Sequence, residues 1–260
     1  MRRILLGLVP LAIAGTISTV TPGTAEAAVS RAPDRAGLVP HAVTAAKGGV
    51  TAAEGGVTGA AARTLHYGDK GATVKYLQNR LRALHYDPGA VDGRYGKDLR
   101  YAVYAFQKVN RITPSSTVGA KTWKALAHPA QPPRVIKGGA ANRVEVSKKH
   151  QLVVVYRGGK VQLITLTSTG SGKRYCSQGK CSYAKTPSGN FRVLRKINGW
   201  RHAPLGNLYK PLYFHGGYAL HGSPSVPLSP ASHGCARIPM YHTADLLFRL
   251  VPVGTAVYVR

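Results

Sequence analysis

Residues 152–169 read LVVVYRGGKVQLITLTST. Valine and other β-formers crowd both sides of Gly158-Gly159, a pair suited to the tight turn of a hairpin, so this stretch predicts two antiparallel strands. RVEVS (143–147) just upstream has the same character, and NFRVLRK (190–196), YALHG (218–222) and TAVYVR (255–260) read as further strands. TADLLFRLV (243–251) interrupts them with a short helix, for which Thr243 is the expected N-cap.

Upstream the period changes. In GDKGATVKYLQNRLRALHY (68–86), Val74, Leu77, Leu81 and Leu84 recur on one helical face, with Asp69 as the expected cap. In KDLRYAVYAFQKVN (97–110), Leu99, Val103 and Phe106 do the same, and TWKAL (122–126) turns Trp123 and Leu126 inward. VDGRYG (91–96) supplies the turn between the first two. The expected fold class is α+β in two domains: a small three-helix bundle over 64–127, then a mostly β domain over 143–260 carrying one or two short helices. The prolines of AHPAQPPR (127–134) favour an extended linker, here 128–142. Residues 28–63, with the near-repeat GGVTAAEGGVTGAA, have too few large apolar side chains to offset ordering entropy and read as a flexible spacer.

Residues 1–27 join a basic start, an apolar run and Ala25-Glu26-Ala27, the pattern of a cleaved secretory signal, with an uncleaved membrane anchor as the alternative. The formal charge is +27; removing Arg2, Arg3 and Glu26 with the signal takes away one positive charge and leaves +26. Such an excess calls for an anionic partner, and export points to anionic polymers of a cell surface rather than nucleic acid, with solubility alone as the alternative. Cys176 and Cys181, in CSQGKC, read as a short-range structural disulfide, with metal binding as the alternative. That leaves Cys235 unpaired in SHGC (232–235).

From residue 137 onward the acidic residues are Glu145 and Asp245 alone. A paired-carboxylate glycosidase or a carboxylate-rich calcium or magnesium site therefore has little to work with. A thiol nucleophile needs no carboxylate: a neighbouring imidazole takes its proton, and a basic field stabilises the thiolate. His215, His221 and His233 are the candidate bases. Gly234 lets the chain turn sharply and aim backbone N–H groups at an oxyanion, so SHGC reads as a nucleophile on a turn.

STG (168–170), TPSGNF (186–191), YALHGS (218–223) and SHGCAR (232–237) occur in that order, and together they resemble the L,D-transpeptidase (YkuD-type) catalytic domain of bacterial cell walls. YGDKGATVKYLQNRL, VDGRYG, YAVYAFQ and VGAKTWKAL are similar to a peptidoglycan-binding helical module. The resemblance implies Cys235 as nucleophile and His221 as general base, with the Gly222 carbonyl holding the imidazole tautomer. It also implies that Ser232, His233 and Gly234 shape the turn and the oxyanion site, with His233 polarising or binding substrate. Arg237 stands either against a substrate carboxylate or as a structural anchor. Ser232, Arg237, Trp200 and Tyr213 form the expected substrate-contacting set, Trp200 being equally readable as a plug at a core edge. His215 rivals His221, because ten residues separate His221 from Ser232 and sixteen separate His215 from it.

The implied activity is a thioester-forming transfer between third residues of peptidoglycan stem peptides, with no metal or cofactor and with penems or carbapenems as covalent inhibitors. L,D-carboxypeptidase activity, a non-catalytic wall scaffold and a zinc peptidase using Cys176 and Cys181 are the rival readings. Nucleic-acid binding rests on charge alone.

Overall fold

A computed structural model describes residues 63–260, so the expected signal segment and nearly all of the spacer lie outside the described residues. Three helices come first: α1 (Ala72–Ala83), α2 (Lys97–Val109) and α3 (Ala120–Ala127). Twelve strands and a fourth helix follow. They are β1 (Arg143–Ser147), β2 (Leu152–Arg157), β3 (Lys160–Leu166), β4 (Arg174–Ser177), β5 (Lys180–Tyr183), β6 (Gly189–Arg192), β7 (Arg195–Lys196) and β8 (Trp200–Ala203). The chain ends with β9 (Gly206–His215), β10 (Tyr218–Ser223), β11 (Ala236–Pro239), α4 (His242–Leu250) and β12 (Ala256–Val259). One sheet runs β3-β2-β1-β12-β6, and a second runs β11-β10-β9-β7 with β8 also paired to β9. β4 and β5 form a separate hairpin.

The LVVVYRGGKVQLITL hairpin forms as its sequence directs. Arg157 pairs with Lys160 across Gly158 and Gly159, both at positive φ (54° and 75°), the backbone a two-residue hairpin turn requires. Its apolar run is continuous because both faces of β2 are covered. Side chains alternate along a strand, so Val153, Val155 and Leu163 face the second sheet and pack with Leu212, Phe214, Leu220 and Ile238, and with Leu247 of α4. Leu152, Val154, Tyr156, Ile164 and Leu166 face the other way, into one cluster with Leu77, Leu81, Val103 and Phe106 of the helices. The helices thus share one cluster with the outer face of the first sheet, while the inter-sheet cluster belongs to the β-rich segment alone.

Residues 128–142 carry no helix or strand and are tied down at two points. Ala130 N–H donates to Asn110 Oδ1 (2.8 Å) and Val135 N–H to Glu145 Oε2 (2.8 Å). Glu145 is itself buried in an ion pair with Arg143 (2.7 Å), whose guanidinium lies 3.6 Å from the Tyr156 ring centroid. Asp245 pairs with Lys210 (2.9 Å) on α4. The two carboxylates therefore serve separate structural contacts.

Both expected caps are corrected. Gly71 and Tyr241 occupy the N-cap positions of α1 and α4, neither with a side-chain cap. Asp69 lies too far upstream and accepts from His66 N–H instead (2.9 Å). Thr243 lies inside α4, and its hydroxyl donates to Asp87 Oδ2 (2.9 Å).

Candidate active site

β10 and β11 run parallel with Leu220 opposite Ala236, His221 opposite Arg237 and Gly222 opposite Ile238. Leu220, Ala236 and Ile238 point into the inter-sheet core. By alternation His221 and Arg237 share the opposite face, and Cys235, two residues before Arg237, joins them there. Ala219 and Tyr213, paired across β10 and β9, continue that face, and Cys235 packs against their small cluster with Leu208.

The register of β9 on β10 slips between Leu220 and Gly222, so Lys210 and Pro211 together stand opposite the single residue His221. This is a bulge, and Lys210 takes the positive φ (45°) that it needs. The Lys210–Asp245 pair anchors it to α4.

His221 is buried, and its Nδ1 lies 3.0 Å from the Gly222 carbonyl oxygen. A carbonyl only accepts, so Nδ1 carries the proton and Nε2 keeps the lone pair. Burial pushes the His221 pKa from 6.5 down to about 4; the Gly222 carbonyl opposes this and the charge of Arg237 adds to it. Burial raises the Cys235 thiol pKa, against the Ala219 N–H and Arg237. At neutral pH the thiol and the imidazole on this face are both neutral; the thiol donates to the Gly217 carbonyl oxygen (3.8 Å), and among the described residues no hydrogen bond joins it to His221.

The same shift makes a stability prediction. The unfolded chain protonates His221 through 6.5 and the folded chain only through about 4. Stability is therefore full above 6.5 and falls as the pH drops from there to 4, by about 3 kcal/mol from this group. In denaturant unfolding followed across that window, His221→Asn is expected to lose this part of the slope; slopes equal to wild type would contradict it.

The turn carrying Cys235 is held from within and from outside. Ser232 Oγ accepts the Gly234 N–H (3.0 Å) and donates to the Cys235 carbonyl (2.5 Å). Thr186 Oγ1 accepts the Gly170 N–H (2.8 Å) and donates to the Gly234 carbonyl (2.7 Å). Ser168 exchanges both backbone hydrogen bonds with Arg237 (3.0 Å each), and Thr169 O accepts the N–H groups of Ala231 and Ser232 (2.9 Å each). The STG and TPSG motifs thus brace the nucleophile turn, a role their sequence alone did not express. Beside Thr169, Gly170 and Thr186 opens a cavity of about 380 Å³ with Lys148 and Lys185 in its lining.

Among the expected substrate contacts, Ser232 is corrected: it is 2% exposed and its hydroxyl is engaged inside the turn. Trp200 is corrected too. It pairs with Tyr209, itself opposite Gly222, and joins Tyr209 and Tyr241 on the α4 side of the sheet, away from the Cys235 face. Tyr213 lies on the Cys235 face but is 5% exposed, under the Arg195 guanidinium (3.7 Å to the ring centroid). Arg195 carries no motif signal; only its register opposite Tyr213 reveals it. Arg237 is half-buried, and among the described residues its guanidinium makes no hydrogen bond or ion pair. His233 is exposed, with its ring edge against Tyr175 (5.1 Å) of the β4–β5 hairpin. His215 stands at the exposed end of β9 between Phe191 and Tyr218.

Cys176 and Cys181 stand opposite each other across that hairpin, with their sulfurs 2.00 Å apart. Cys235 is free.

Residues 141–259 match the L,D-transpeptidase catalytic domain, and residues 70–126 match a peptidoglycan binding domain. The crystal structure of an L,D-transpeptidase from Xylanimonas cellulosilytica DSM 15894 is 35% identical, aligns with 76% of this chain and 98% of that one, and has a TM-score of 0.71. An L,D-transpeptidase from Stackebrandtia nassauensis is 23% identical over 75% of this chain and 94% of that one, with a TM-score of 0.44. The carboxy-terminal processing protease CtpB of Bacillus subtilis (strain 168) is 38% identical over 53 residues, which span 20% of this chain and only 11% of that protein.

Proposed function

The chain belongs to the L,D-transpeptidase family, and we propose that it is an exported, cell-wall-associated enzyme that joins peptidoglycan stem peptides through a thioester on Cys235. The observation that carries this reading is the shared face of β10 and β11. A free thiol on a braced turn and a buried imidazole, its Nδ1 proton given to the Gly222 carbonyl, both lie on that face, which supports the reading.

In the proposed reaction His221 Nε2 takes the thiol proton as Sγ attacks the carbonyl of the third stem residue, a diamino acid. The tetrahedral intermediate collapses to a thioester, and the amine of the departing D-alanine leaves with the proton held by His221. The Gly234 N–H is engaged by Ser232, so oxyanion stabilisation falls to the N–H of Cys235 itself. The side-chain amine of a neighbouring stem then attacks the thioester, gives its proton to His221 and releases the thiolate, linking two third residues. Water in place of that amine gives the carboxypeptidase outcome.

The unpaired guanidinium of Arg237 favours recognition of a substrate carboxylate over a structural anchor. His233, exposed beside Tyr175, is a substrate contact on the hairpin side. The Cys176–Cys181 pair is a disulfide of the exported protein. The three helices act as a small bundle that holds peptidoglycan, the net charge attracts anionic wall polymers, and penems or carbapenems acylate Cys235.

Incubating the protein with disaccharide-tetrapeptide and resolving products by mass spectrometry tests this. A dimer formed with release of one alanine is expected. Tripeptide monomer alone would mean hydrolysis, and unchanged substrate would leave the wall-scaffold reading.

A further inference from the structure

Eight residues, Ser223 to Pro230 (SPSVPLSP), carry the chain from the His221 strand toward the Cys235 turn. Ser223 ends β10 opposite Pro239, and beyond it three prolines, which have no N–H to donate, keep the segment out of the ladder. Within the segment, Ser223 Oγ donates to the Ser225 carbonyl (3.0 Å) and accepts the Ser225 N–H (3.4 Å). From the β-rich part, Ser168 Oγ reaches the Ser229 carbonyl (2.8 Å).

The remaining grips come from helix α2. The Val226 N–H donates to Tyr101 Oη (3.3 Å), Lys97 Nζ donates to the Pro224 carbonyl, and Lys108 Nζ donates to the Leu228 carbonyl (2.9 Å). Lys108 also reaches the His150 carbonyl (3.2 Å), within the β1–β2 connection. The Val226 side chain is 3% exposed and sits in the cluster formed by the helices and the outer face of the first sheet. One face of α2, read at positions 97, 101 and 108, thus runs along the segment that joins base to nucleophile.

We propose that Lys97, Tyr101 and Lys108 of the helical segment are positioning residues for catalysis, setting the spacing of His221 and Cys235 through the Pro224–Leu228 loop. The module resembling a peptidoglycan-binding domain then has a second task besides holding substrate. Catalytic geometry tolerates errors of only about an ångström, so a loop released from α2 costs rate even where the fold persists. This inference rests on the proposed roles of Cys235 and His221.

The test uses the full chain with Tyr101→Phe, and separately the double variant Lys97→Met/Lys108→Met. Acylation by a carbapenem is followed by mass spectrometry, and the titration of the His221 ring by NMR. Both variants are expected to slow acylation at least fivefold well below their melting temperatures. Both are also expected to raise the His221 midpoint from about 4 toward 6.5 as its site loosens. Lys97→Arg/Lys108→Arg should restore both readouts. A lowered melting temperature with unchanged acylation and unchanged His221 titration would overturn the proposal and leave the contacts a role in stability alone. If the wild type is not acylated, the thioester reading fails, and the His221 titration still decides this one.

Discussion

Replacing His221 by glutamine is expected to slow acylation of Cys235 by about 10²- to 10⁴-fold, the usual contribution of a positioned general base. The same change at His215 is expected to leave the rate within about threefold, since no general-base contribution is lost there. The difference follows from register. His221 sits opposite Arg237 on the face that Cys235 shares, and the Arg237 charge reaches both groups. His215 ends β9 with its ring against Tyr218, and Tyr218 in turn borders Gly234. The shorter spacing of His221 from Ser232 along the chain, which made His215 a rival, is no obstacle, because β10 and β11 pair directly with His221 opposite Arg237. A rate that falls for His215→Gln and not for His221→Gln would reverse the assignment.

Gly234→Ala is expected to cost about 10²-fold or more in acylation rate while secondary structure is retained, because a displacement of one ångström at the reacting atoms has that effect. Two independent obstacles meet there. The backbone holds φ at +139°, a conformation alanine adopts only under strain, and a Cβ would lie 2.7 Å from Tyr218 Cε1. Tyr218 lies on β10, three residues before His221, so relief of the clash pushes on the strand that carries the base. Far-UV circular dichroism and a time course of carbapenem acylation measure the two halves of this prediction. A Gly234→Ala protein that acylates at the wild-type rate would show that the turn is not the constraint described here.

Much of this arrangement was legible in the amino-acid order, for reasons that are local. Gly158-Gly159 between valine-rich runs allows one turn geometry, and Val74, Leu77 and Leu81 mark a helical face that is indeed buried. The pairing of a free cysteine with HG and a preceding HGS strand end pointed to the thiol and to His221 as one of the candidate bases. What escaped depends on partners distant in sequence. β9 runs through Pro211 and a positive-φ Lys210, both of which argue locally against a strand, and it forms because β10, β7 and β8 pair with it. β4 alternates only between exposed and half-buried residues and β5 is exposed throughout, so neither has a buried apolar face to read.

Trp200 read equally as a groove aromatic or a plug at a core edge, and its register with Tyr209 sets it on the α4 side of the sheet. The fusion of the helices with the first sheet did leave a trace: β2 is apolar at successive positions, which a strand covered on one face does not need. That trace distinguishes a strand buried on both sides, but it does not name the covering element.

The most direct measurement is peptide mapping of the wild-type protein after carbapenem exposure under native conditions. The account predicts one adduct, on the peptide holding Cys235, absent when Cys235→Ala is treated in the same way. An adduct on any other residue, or a folded protein that takes up none, would contradict it.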